Sequence, residues 1–205
     1  MSYDVRPDSR IDVRDAYAGR PIASGSLTVV VDRDSVSVQD GGVNAHLGPG
    51  DVAEVYLGFF VDRLPIEFRE QTALNPVLVA DADAFAAGAG GLPEVGRRVT
   101  FAGEAPDYVL FVRNLRVFRA GYQASGAMVP MAGPSGGMMP LGGGKQMAVR
   151  NDADVVLWDN AAGQVVSSGH IESHDEYTFM RPAIYEGAVG EFVEQVVYRT
   201  PIAKR

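Results

Sequence analysis

The chain has 205 residues, with 18 Lys plus Arg against 26 Asp plus Glu and a formal net charge of −8. With 46% hydrophobic residues, it can bury a real core, which excludes a wholly disordered chain and a bundle of membrane-spanning helices. Its only lysines are Lys145 and Lys204 and it has no cysteine, which argues against a nucleic-acid partner and removes disulfides, thiol nucleophiles and thiolate metal sites.

From Met1 to Gly25 charges recur every few positions, so this stretch contains no export signal and cannot form an apolar face. Residues 1–25 are expected to be a flexible, extended arm or tether, ahead of a single domain spanning 26–205. The β-branched run from Leu27 to Val31, stopped by Asp32, Arg33 and Asp34, predicts a buried strand. Val36 and Val38 alternate with polar residues in a short second strand from Ser35 to Gln39. After the break at Gly48-Pro49-Gly50, apolar Val52, Val55, Tyr56, Phe59 and Phe60 recur at helical spacing. Asp51 is placed to cap that helix, and Pro65 is expected to end or kink it.

Asn75-Pro76 leads into a short strand from Val77 to Ala80, and the Ala- and Gly-rich stretch from Ala82 to Gly91 reads as either a weak helix or a loop. Tyr108 to Phe118 is apolar on both alternating sets, as expected of a central strand covered on both faces. The valine-rich runs from Met147 to Trp158 and from Gln164 to Glu172 flank Asp159-Asn160-Ala161-Ala162-Gly163, a hairpin signal. Pro182 opens a last helix with Ile184, Ala188, Phe192 and Val196 on its apolar stripe, ended by Thr200-Pro201. Trp158, Phe59, Phe60, Phe111 and Phe192 fall where strands and helices need core. This order predicts an α+β fold, a mixed, mainly antiparallel sheet with amphipathic helices packed on one face.

Ala105-Pro106-Asp107-Tyr108-Val109-Leu110 and the turn from Asp159 to Val166 resemble two motifs of bacterial envelope lipoprotein domains. That group includes the curli secretion-channel lipoprotein, the lipoprotein activators of penicillin-binding proteins and the N-terminal domain of the Tol system's periplasmic protein. The resemblance reaches roughly from Gly25 to Pro201. The acylated cysteine of such lipoproteins is missing, and Ala162 stands where the turn usually has Thr. It implies a non-catalytic scaffold that assembles with itself or with envelope partners, and it transfers no catalytic residue.

Three patterns bear on chemistry. His170-x-Glu172-x-His174 places three potential ligands at alternate strand positions, so the segment is either a divalent-metal site or a solvated strand end whose last residue, His174, lies in a loop beyond Glu172. Gly133-Pro134-Ser135-Gly136-Gly137 matches the G-x-S-x-G of serine hydrolases but lacks the strand and helix that would hold the serine. Gly142-Gly143-Gly144-Lys145 evokes a phosphate loop, but the first glycine of that motif would fall at Met139, and Gln146 stands where Ser or Thr would bind magnesium.

The segment 119–146 is far longer than an ordinary loop and is rich in Gly, Pro and Met. It is read as a hairpin insertion that is disordered, contacts a partner or lipid, or binds a soft metal through thioethers. Met128, Met131, Met138 and Met139 are its candidate interaction surface. The expectation is a non-catalytic structural or assembly module of the bacterial cell envelope, acting through protein partners or self-association and needing no cofactor. The rival is a metal-binding protein or metal-dependent enzyme using His170, Glu172 and His174. Location follows as periplasm or outer envelope, with membrane anchoring through a segment outside this chain, or as cytoplasm if Met1 is the natural start.

Overall fold

The computed structural model describes residues 9–41, 49–82, 91–123, 127–130, 138–141, 145–177 and 183–205. In chain order the elements are β1 (Arg10–Val13), β2 (Leu27–Val31), β3 (Ser37–Gly41), α1 (Pro49–Gln71), β4 (Val77–Asp81), β5 (Tyr108–Gln123), β6 (Ala127–Pro130), β7 (Met138–Leu141), β8 (Lys145–Asp159), β9 (Gln164–Tyr177) and α2 (Ala183–Arg199). The main sheet has the order β1-β9-β8-β5-β2-β4, with β3 also on β5. The α+β reading holds, and the sheet is mixed in two halves. β2, β3 and β4 join through parallel pairs, whereas β1, β9, β8 and β5 join through antiparallel ones.

Both helices pack on one face. Tyr56, Phe60, Leu64 and Phe68 of α1 are fully buried, four residues apart and so on one side of the helix. They meet Ala188, Val189, Phe192 and Val196 of α2 over Val29, Val31, Leu110, Val112 and Val155. The Phe60 and Phe192 rings pack edge to face at 5.2 Å. Pro65 does not end α1, which continues to Gln71. An interior proline costs about 3 kcal/mol, and burying Phe68 in the turn beyond it returns about 1.5–3 kcal/mol, enough to offset most of that cost. The helix starts at Pro49, two residues before the expected cap, leaving Asp51 in its first turn.

The opposite face carries a smaller core of Val30, Val109, Phe111 and Trp158, covered by Leu92 and Phe101. β5 is thus central and covered on both faces near its start, as its sequence predicts. The stretch from Ala82 to Gly91 lies mostly outside the described residues. The N-terminal arm enters the fold. Arg10–Val13 pairs antiparallel with Ser167–His170 as an edge strand, and Ile22 is buried.

The described part of the 119–146 insertion is β-structure. β5 and β8 run together out to Gln123↔Lys145, and beyond them β6 and β7 form a separate two-stranded ladder. Met128, Met138 and Met139 lie on that ladder, whereas Met131 falls outside the described residues.

Candidate functional site

The hairpin fixes which side chains share the face away from the helices. β9 continues through Glu172 to Tyr177, so His174 is a strand residue and not part of a loop as the sequence suggested. In the register Asp154↔His170, Asp152↔Glu172 and Arg150↔His174, these six residues alternate with Asn151, Ala153, Val155, Ile171 and Ser173, which are buried on the helix side. They form a ladder of polar groups on the face away from the helices, where Asp152 and Glu172 are themselves buried.

His170 sits between two carboxylates, with Nε2 3.1 Å from Asp152 and Nδ1 3.2 Å from Asp154. Asp152 also takes the Arg116 guanidinium at 3.1 Å, and the Asn114 amide donates to Asp154 at 2.7 Å. Burial tends to raise the Asp154 pKa, but bonds from Asn114 and His170, with the charges of His170 and Arg116, outweigh it and hold the group below its ordinary value. Glu172 accepts from Arg150 at 3.4 Å, and that guanidinium lies over the Phe118 ring at 4.3 Å.

A cation beside Glu172 and carboxylates at both nitrogens of His170 describe a self-compensated ion-pair ladder. Among the described residues no group of three His, Asp or Glu side chains has the geometry to hold a metal ion. Asp152, Asp154, Arg116 and Asn114 join this ladder without having been singled out in the sequence. Their signal is alternation on β8, but the pairing depends on a bulge between Leu157 and Trp158, which moves the register by one residue and cannot be read from the loop alone.

At the other end of the hairpin, the two segments that carry the lipoprotein resemblance lie side by side, with Tyr108 opposite Asp159. Asn160 is fully buried. Its side chain donates to the carbonyls of Val99 and Pro106 and accepts from the Val99 amide at 2.7–2.8 Å. Gly163 has φ +63°, and a Cβ there would meet the Gly96 backbone at 2.6 Å, so only glycine fits. Asp107 accepts from both the amide and hydroxyl of Ser26. These residues fasten the turn, and their arrangement is structural.

Another exposed feature is the edge strand β4. Leu27 donates its amide to the Pro76 carbonyl and is in register with Val77, so the even-numbered residues of β4 bond to β2 and Val77, Val79 and Asp81 direct their amides outward. Among the described residues no strand pairs this outer side. Leu78 is 51% exposed, while Asp81 forms an ion pair with Arg33.

No family model and no curated protein matches the chain. Among solved structures it is similar to a PelC dodecamer from Paraburkholderia phytofirmans, with 13% identity and a TM-score of 0.38, covering 97% of this chain and 99% of that one. A variant PelC dodecamer from the same organism gives 12% identity and a TM-score of 0.37, with 93% and 97% covered. A protein of family DUF330 from Xanthomonas campestris gives 13% and 0.32, with 93% and 87% covered. At these identities and scores neither the assembly nor the role of those proteins transfers to this chain.

Proposed function

We propose that the chain is a non-catalytic structural module of the bacterial cell envelope that works by protein–protein contact, beginning with its own copies. The observation that carries the contact is β4. A parallel sheet normally hides its edges, because a row of free amides and carbonyls beside apolar side chains is a template for another strand. Here outward amides at Val77, Val79 and Asp81 accompany the half-exposed Leu78. The ionisable groups of the face away from the helices are matched by partners of opposite charge, which suits a structural ladder better than a reaction centre. The envelope setting rests on the two resembling motifs, which come together at one end of the sheet.

Light scattering on the purified chain tests this reading. Self-association is expected to weaken as concentration falls and to be lost in Leu78→Lys, because a lysine on an edge strand opposes pairing with a second edge. A strict monomer at all concentrations, or an oligomer unchanged by Leu78→Lys, overturns it.

A further inference from the structure

Among the described residues the main sheet ends in β1 on one side and β4 on the other. The two edges are guarded differently. On β1, Arg10 and Asp12 are exposed on the side of His170, away from the helices, whereas Ile11 packs against the main core. Arg14 donates its amide to the Val166 carbonyl, so by alternation Arg10 and Asp12 bond to β9 while Ile11 and Val13 direct their amides outward. Exposed charges beside an edge oppose pairing with a second strand. On β4 the residues in the corresponding places are Leu78 and Ala80. Ala80 packs against the smaller core, and the half-exposed Leu78 shares its side. Asp81, at the end of the strand, is held in an ion pair by Arg33.

We infer that β4 pairs antiparallel with β4 of a second copy about a two-fold axis, which closes the contact at two chains. This rests on the reading of β4 as a contact between copies and names the partner strand, its register and its symmetry. An axis centred on Val79 uses the whole strand, Val77–Asp81. Val79 then opposes the second copy's Val79, Val77 opposes Asp81, and these outward-directed residues exchange both backbone bonds. Leu78 falls against Ala80 of the other copy, so its exposed side chain is covered by an apolar one. The other edge does not fit as well. In the register that pairs all of β1 and keeps both helix layers on one side, Asp12 would oppose Leu78 and Arg10 would oppose Ala80, charge against apolar surface with no opposite charge to meet it. Helix α1 joins the contact, since it lies over β4 while α2 lies over β8 and β9. Phe59 stacks on Tyr185, on the flank beside α2. Leu57 and Val61 stand two residues to either side of it, about 200° round the helix, and are partly buried at the margin of the main core. The two-fold axis turns these flanks toward each other over the joined strands. A strand of this length is small beside the roughly 20–30 residues that each side of a stable interface contributes, so the helix flanks add area and the dimer dissociates on dilution.

The chain has no cysteine, so single-cysteine variants of the full chain report the pairing directly. Val79→Cys should form an intermolecular disulfide, because Cα atoms about 5.5 Å apart across the axis are within bridging range. Leu78→Cys mixed with Ala80→Cys should cross-link to each other faster than either does alone. Val79→Cys mixed with Ile11→Cys should give no mixed product. Light scattering of the unsubstituted chain should level off at the mass of two chains as concentration rises. Leu78→Lys should weaken the dimer about tenfold, since both contacts of Leu78 with Ala80 are lost at once. Trp158 fluorescence, unchanged in each variant, reports an intact fold. A strict monomer overturns the contact between copies and this inference together. Association that continues past two chains overturns the two-fold pairing alone and leaves the β4 contact standing. So does a disulfide between positions 79 and 11 in place of one between two copies of position 79.

Discussion

At its proximal end the β5–β8 hairpin is fastened by buried polar groups, whereas at its distal end it passes into a ladder bonded only to its own two strands among the described residues. Near Asp159 the turn is held by Asn160, Asp107, Tyr17 and the close approach of Gly163 to Gly96. Between Gln123 and Lys145 the sequence carries no charged residue. The difference separates two uses of one hairpin. Polar residues that find internal partners define the framework, whereas the distal ladder forms a sheet of its own among the described residues.

That contrast can be broken from the proximal end first. Asn160→Ala leaves the Val99 amide and the Val99 and Pro106 carbonyls buried without their partner. Each such group costs about 1–3 kcal/mol, and with partial relaxation the expected loss is about 3 kcal/mol. Urea unfolding followed through Trp158, which lies beside the turn, measures it.

Between the two ends, β1 clamps β9. A Cβ at Gly169 would fall 2.0 Å from the Arg10 carbonyl oxygen, so Gly169→Ala forces β1 away and should cost about 2 kcal/mol. Amide exchange would then speed up at Arg10–Val13 and leave Leu110 and Val112 protected. Uniform acceleration across the sheet would show that β1 is integral to the framework and not a clamp on its edge.

Asp107 gives a smaller and pH-dependent effect. Bonds from the Ser26 amide and hydroxyl lower its pKa below the ordinary 3.8, against a rise from burial and with help from Arg98. A carboxylate lowered in the folded state adds stability above its unfolded pKa and loses that contribution as pH falls through the folded value. Asp107→Asn should therefore destabilise by about 1 kcal/mol or less at pH 7, allowing for solvent screening of an exposed group. The deficit should fade as pH falls through the lowered folded value, and thermal melts at several pH values read it directly. The smallest effect is expected at the tip. Met139→Asp should change folding stability by no more than about 0.5 kcal/mol, because β6 and β7 pair only with each other among the described residues. A larger loss would erase the distinction between the two ends.

Much of this architecture is visible in the residues. Leu27–Val31, the two apolar sets of β5 and the turn from Asp159 to Gly163 specify the central sheet through β-branching and turn chemistry. The helical stripes specify the layer that covers it. Pro65 does not end α1 because its local cost is offset by the burial of Phe68 in the turn beyond it. The arm misleads because Arg10–Val13 has little apolar content of its own and is held by β9's backbone and by the gap at Gly169. The polar face was half legible. His170, Glu172 and His174 share one side by alternation alone, but their partners Asp154, Asp152 and Arg150 are set by the bulge at Leu157. The Met-rich insertion showed its composition but not its β-pairing, since glycine and proline are equally at home in loops.

The claim on which the functional reading turns is that the outer side of β4 is a contact between copies. Amide hydrogen exchange measured across a dilution series tests it most directly. The account predicts that exchange at Val77, Val79 and Asp81 slows as concentration rises, with Leu78 and Ala80, already bonded to β2, unaffected. Outward amides that exchange at one fast rate over the whole series would contradict it.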